Sequence, residues 1–205
     1  MNTQRITIVI LLALVIAVIL IRKSKSKQEL NLGEKEVNQV LSKLKGYKLL
    51  SDVLIKRENG SSQIDHILIG KKGIFVIETK DYSGSIYGEQ YSKYWIQIIN
   101  RNKNEFYNPI RQNYGHIKAL EEYIGRKGVF ISVIVFTNKS KLKKVKTETP
   151  VIQLKKLKKF IRKYSSDIRL SKEEIECIYN SIKKGNVHSN RARKKHVKRI
   201  NRNIS

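Results

Sequence analysis

Gln63-Ile64-Asp65-His66-Ile67-Leu68-Ile69-Gly70-Lys71-Lys72-Gly73-Ile74-Phe75-Val76-Ile77-Glu78-Thr79-Lys80 decides the fold of this chain. Two apolar runs flank Lys71-Lys72, and each is bounded by a glycine, the signature of a tight β-hairpin. Placing Gly70 opposite Gly73 and counting outward sets Asp65 against Glu78 and Gln63 against Lys80. Directly opposed side chains share a face, and alternate residues of a strand point the same way, so all four polar groups are expected to converge at one end of the hairpin. Two carboxylates that close repel each other unless a proton or cation intervenes. Lys80 supplies one charge and leaves room for a metal ion at Asp65 and Glu78. Hard oxygen donors favour Mg²⁺ or Mn²⁺ over zinc. Such an ion beside an ammonium group suits hydrolysis of a phosphodiester.

Working outward, Val37, Val40, Leu41 and Leu44 carry the period of an amphipathic helix. A β-run over Tyr47–Lys56 precedes the hairpin, and a fourth strand is predicted over Tyr94–Ile99. Asn108-Pro109 opens a helix running to about Ile124, ended by Gly125 and Gly128. Val129–Phe136 is apolar on both alternations apart from Ser132, as in a strand covered on both faces. A basic helix is read from Val151, with Leu157, Phe160, Ile161 and Tyr164 inward and lysines elsewhere. Ser171 and Glu174 form a capping box for a last helix that Gly185 stops. Glu34 also stands three residues after Asn31, the spacing of an N-cap and its partner. His66 and Trp95 read as packed side chains, whereas Asp52, Asp81 and Glu89 have no partner that can be assigned from sequence.

These residues resemble the nuclease-related domain (NERD) proteins of the PD-(D/E)xK endonuclease-like superfamily. The resemblance spans Leu32 to Phe136 and rests on Gly33-Glu34, Gln63 to His66, Gly73 to Lys80, Trp95, Asn108-Pro109 and Gln112. It implies an α/β fold, a restriction-endonuclease-like αβββαβ core with a mixed central sheet, and nuclease activity. By the same resemblance Asp65 and Glu78 are metal ligands, Lys80 belongs to the E-x-K, Glu34 is an additional acid on the first helix, and Gln112 is a substrate-side residue.

Lys and Arg outnumber Asp and Glu by 43 to 17 in 205 residues, a net charge of +26. A polyanion partner is expected, either nucleic acid (DNA or RNA) or anionic lipid. The single cysteine, Cys177, excludes an internal disulfide and a CxxC zinc site. Ile6 to Ile21 is a run, apolar apart from Thr7, of about 24 Å as a helix, read as one N-terminal transmembrane anchor. Arg22, Lys23, Lys25 and Lys27 follow it, which places the N-terminus outside and the remainder in the cytoplasm. The chain therefore divides into an anchor and basic linker over 1–27, a nuclease-like domain over 28–145, basic helices over 146–185 and a disordered basic tail over 186–205. The expectation is a membrane-tethered, Mg²⁺-dependent nuclease. The alternative is a non-catalytic nucleic-acid-binding or membrane-surface scaffold on the same fold.

Overall fold

The computed structural model describes residues 32–58 and 60–187. The predicted membrane span, Asn31 and most of the basic tail lie outside the described residues. No helix among the described residues is long and apolar enough to cross a membrane.

The hairpin forms in the predicted register. Strands β2 (Gly60–Gly70) and β3 (Gly73–Lys80) pair antiparallel from Gly70↔Gly73 to His66↔Ile77. Gly73 has φ +117°, a conformation that residues with a Cβ rarely adopt, which is why the turn closes on glycine. Strand β1 (Tyr47–Arg57) pairs antiparallel with the other edge of β2.

Beyond β3 the chain builds a second sheet before returning to the first. β4 (Gly84–Glu89), β5 (Tyr94–Ile99) and β6 (Asn102–Tyr107) form an antiparallel meander. Helix α2 (Pro109–Ile124) then leads into β7 (Phe130–Phe136), which lies parallel to β3. β8 (Ser140–Lys146) joins the edge of the second sheet alongside β4, and β9 (Val151–Gln153) joins the first alongside β7, both in parallel. The result is a mixed five-stranded sheet, β1-β2-β3-β7-β9, and a mixed four-stranded sheet, β6-β5-β4-β8. Of these, β4, β6, β8 and β9 were not legible as strands. Val151–Gln153, read as the start of the basic helix, extends the central sheet instead, and the helix begins at Leu154.

Helices cover the central sheet on both faces. On one, α2 and α4 (Lys172–Gly185) pack Leu120, Ile175, Ile178 and Ile182 against Ile67, Ile69, Ile74 and Val76. On the other, α1 (residues 32–41) and α3 (Leu154–Lys163) pack Val37, Leu41, Leu157 and Ile161 against Leu68, Phe75, Ile77 and Val133. The capping box of Ser171 and Glu174 is present at α4. Gly33 sits where α1 meets the ends of β3 and β7. A Cβ there would lie 2.7 Å from Asp81 Cβ and 3.0 Å from Thr137 Cγ2, so only glycine lets the helix approach this closely.

One irregularity reshapes the sheet. In β2, Ser62 bonds to a residue of α2 and Ile64 packs in the same core cluster as Ile67 and Ile69, so the residues facing α2 and α4 change from even to odd numbers. In β1 the same change separates Leu50 from Val53 and Ile55. Asp52, at φ +52°, lies between the pairs Ser51↔His66 and Val53↔Ile64, level with Asp65. A single left-handed residue, which aspartate tolerates better than most, turns β1 over. Because both strands reverse at the same level, the ladder resumes without a change of register.

Candidate active site

Asp65 lies within electrostatic reach of Glu78 and Lys80, but the expected Asp65–Glu78 pair falls beyond the last ladder pair, His66↔Ile77, and Gln63 is turned away. Past Ile77, β3 leaves β2 and continues against β7, with Glu78↔Ile134 and Lys80↔Phe136. At the point of divergence Thr79 N–H donates to Asp65 Oδ2 at 2.8 Å, so the carboxylate completes the ladder where a backbone carbonyl would have stood. Gln63 lies beyond the reversal, on the opposite side of the sheet. Its amide donates to Asp52 Oδ1 at 2.7 Å, and its main chain pairs with Leu54, so the expected Gln63–Lys80 pair does not form.

Lys80 is instead held by two other groups. Its ammonium lies 2.8 Å from Glu78 Oε1 and donates to Gln112 Oε1 at 2.9 Å. Gln112, placed near the site by resemblance alone, is thus in direct contact with the E-x-K lysine. The second Glu78 oxygen stands 3.2 Å from His116 Nε2, yet neither atom makes a hydrogen bond of good geometry, so this contact is an approach of charge to a polar ring. On the far side of the ring, Ser62 Oγ is 2.7 Å from Nδ1. With the proton on Nε2, facing the carboxylate, the Ser62 hydroxyl donates to Nδ1. A chain of contacts results, buried at Ser62, His116 and Glu78 and partly exposed at Lys80 and Gln112.

His116 and Ser62 escaped the sequence reading. The available signal was the spacing Asn108, Gln112, His116, three polar residues four apart on one side of a helix. Asn113 is a further inward polar residue, donating 2.8 Å hydrogen bonds to Val76 O and Ser132 Oγ. Asn108 acts as the N-cap of α2, accepting from Ile110 N, and its amide donates to the carbonyls of Glu89, Gln90 and Ser92. The start of the helix, and with it Gln112, is pinned to the turn between β4 and β5.

A second group lies across the sheet edge. Glu34, Asn38, Asp52, Gln63, Asp65 and His66 surround an open cavity of about 300 Å³. Burial, reinforced by Glu78 and Glu34, pushes the Asp65 carboxyl well above its ordinary range, and burial with Asp52 and Glu78 also raises Glu34. Glu78 goes the other way. Its burial opposes ionisation, but Lys80 and His116 outweigh that and hold it at about 2. Burial works against the charge of Lys80 too, and Glu78, with Tyr82 and Asp65, leaves its pKa raised. His66 is buried and pushed down to about 4 chiefly by desolvation, so it is a neutral packed ring at physiological pH.

The donor set of Asp65, Glu78 and Glu34 is all oxygen, and a hard cation would offset both the burial and the mutual repulsion that together raise Glu34 and Asp65. Their chemistry therefore fits Mg²⁺ or Mn²⁺. Among the described residues, however, no group of three or more His, Cys, Asp or Glu side chains is gathered closely enough to hold an ion as it stands. Asp81, unassigned from sequence, is a structural acid that accepts from Thr137 Oγ1 and pairs with Lys139. Trp95 is fully buried, and Cys177 is exposed.

Residues 30–137 match the sequence model of the nuclease-related domain. The chain belongs to the nuclease-related domain family. The match begins at α1 and ends just past β7, so this nuclease-related domain contains every acid of the site as well as Lys80, Gln112 and His116. It is consistent with the PD-(D/E)xK superfamily. The chain is also similar to an uncharacterized protein of Bacillus anthracis, 41% identical over 184 residues, covering 87% of this chain and 86% of the relative. No solved structure matches the chain.

Proposed function

We propose that this chain is a metal-dependent nuclease whose catalytic group is Asp65, Glu78 and Lys80, with Gln112 positioning the lysine. The observation that carries the reading is the Lys80 ammonium held between Glu78 and Gln112 at the place where β3 leaves β2 beside Asp65. The order of the core elements, α1, β1 to β3, then α2 and β7, supports the endonuclease-like reading, with the second sheet as an insertion before α2.

Asp65, Glu78 and Glu34 would hold the divalent cation. When bound, it would supply positive charge against a phosphoryl oxygen. Lys80, with its pKa raised, stays protonated at neutral pH. It therefore serves as a donor that orients water or offsets charge on the phosphate, and not as the base. Gln112 fixes the direction of the ammonium. His116 supports the charge of Glu78 from inside the core, and Ser62 holds the ring. Gln63, on the Asp52 side, orients that carboxylate.

The decisive assay is hydrolysis of mixed DNA and RNA substrates with and without Mg²⁺, comparing the parent with Asp65→Ala and Lys80→Ala. Activity that needs the ion and both residues supports the reading, and equal activity in all three proteins would sink it. A non-catalytic binding module is the second reading. It is favoured by the ion pairs that already neutralise Glu78 and by the lack of a gathered metal cage among the described residues. Nucleic-acid binding without turnover, and without a cation effect on stability, would establish it. In either case the anchor over 6–21 and the basic tail would place the domain at the cytoplasmic face of the cell membrane, with anionic lipid as a further contact.

A further inference from the structure

The four-stranded sheet has one covered face and one in solvent. Ile86, Trp95, Phe106 and Leu142 lie on the covered face, packed with Phe136 and Ile110. The alternate residues face outward. There Tyr94 pairs with Tyr107, Ile98 with Lys103, and Tyr87 with Ile96 on one side and Lys144 on the other.

Tyrosines gather at one end of this face. Tyr94 and Tyr107 are 48% and 46% exposed, with ring centroids 6.3 Å apart. Lys93 Nζ lies 5.1 Å from the Tyr94 ring, and Tyr91, in the turn between β4 and β5, is 76% exposed. Edge strand β8 adds exposed Lys141, Lys144 and Lys146. Glu105, opposite Ile96, and Glu89, opposite Lys146, are acids of the same sheet, outnumbered by the lysines.

Aromatic rings interleaved with lysines match the two parts of an unpaired strand. Bases present π-faces that stack on tyrosine, and phosphates meet ammonium groups. A duplex keeps its bases stacked on one another and offers only the second contact. The location adds direction. Asn108 binds three carbonyls of the turn that carries Tyr91, and Gln112 with Lys80 lies one helical turn further along α2.

We propose that this sheet face is a platform for single-stranded nucleic acid, with bases stacked on Tyr91, Tyr94 and Tyr107 and the backbone drawn along the lysines toward Lys80. The destination of the strand rests on the nuclease reading above, but the binding does not.

The test uses the full chain in detergent micelles, with EDTA present so that cleavage cannot intervene. Fluorescence anisotropy is measured with labelled oligothymidylate and oligouridylate of about twenty nucleotides and with a duplex of equal length. The double variant Tyr94→Ala/Tyr107→Ala is expected to lose roughly tenfold or more in affinity for the single strands, with little change for the duplex. Tyr94→Phe/Tyr107→Phe keeps both rings and is expected to bind as the parent does, which separates stacking from damage to the fold. Unchanged single-strand affinity in the alanine variant would overturn the proposal, as would an equal loss on duplex. Binding to vesicles containing phosphatidylglycerol is measured in parallel, and a loss by the alanine variant confined to those vesicles would assign the face to lipid and overturn the proposal as well. Asp65→Ala, expected to lose hydrolysis and keep binding, separates failure of the platform from failure of the catalytic reading.

Discussion

Gln112 accepts a hydrogen bond from Lys80 across 2.9 Å, joining the first turn of α2 to the last residue of β3. Neither residue predicts the other in sequence, and the bond gives the lysine a fixed direction as well as a charge partner. On the nuclease reading proposed above, Gln112→Ala is expected to lower turnover by roughly 10- to 100-fold, the usual effect of removing a group that orients a functional side chain. Lys80→Ala should cost more, on the order of 10²- to 10⁴-fold. Steady-state rates of the two variants, measured beside their melting temperatures, check the order.

Removing Lys80 also strands a buried charge. Glu78 is 2% exposed, and Lys80→Met removes its ammonium partner while leaving His116 beside the carboxylate and the acids Asp65 and Glu34 within electrostatic reach. Breaking a buried pair on one side costs about 3 kcal/mol or more, whereas replacing both partners can be close to neutral. Lys80→Met is thus expected to be clearly less stable than the parent, and Lys80→Met/Glu78→Gln to recover much of the loss. Urea unfolding of the single and double variants measures the coupling.

Acid should weaken the fold in two stages. His66 stays neutral in the folded chain down to about pH 4, whereas in the unfolded chain it takes up a proton near 6.5. Between those values the unfolded state binds more protons, so stability falls as pH drops from about 7 to 4, by about 3 kcal/mol from this group. Glu78, held at about 2, contributes stability above its unfolded value of 4.5 that is lost as pH falls toward 2. Asp65 and Glu34 are raised and act with the opposite sign, favouring the folded state as they protonate. Replacing His66 with asparagine is expected to flatten the decline between pH 7 and 4, as read from denaturant midpoints.

Gly33→Ala places a methyl group 2.7 Å from Asp81 Cβ, and Asp81 is fixed by Thr137 and Lys139. The helix must yield. A loss of about 1–3 kcal/mol is expected, typical of overpacking, together with a displaced Glu34. If Glu34 helps to hold the cation, Mg²⁺ will raise the melting temperature of this variant less than that of the parent.

The hairpin and its acids were legible because strand pairing obeys simple arithmetic. Once Gly70 and Gly73 closed the turn, the register of Ile67, Ile69, Ile74 and Val76 followed. Gln63 was misplaced because that arithmetic assumes an unbroken alternation, which ends at Asp65. Nothing in the residue types around Asp52 announces a left-handed backbone. β8 was hidden by composition, since Ser140-Lys-Leu-Lys-Lys-Val-Lys146 reads as a charged loop until it becomes the edge of a sheet, where lysines are common. His116 was missed because its partner Glu78 lies 38 positions earlier in the chain and on another element.

The shared reversal at Asp52 and Asp65 has a further meaning for how this protein can change. Below it the strands are a largely apolar ribbon, and above it the alternation is inverted, so the two halves answer to different neighbours. Drift that is harmless in one half is tested afresh in the other. Position 52 is then the switch between them: glycine or asparagine there would keep the backbone turn and discard the charge, while a β-branched residue would resist φ +52° and press the strand back toward even alternation. A substitution scan of that one residue separates the shape of the cleft from its electrostatics.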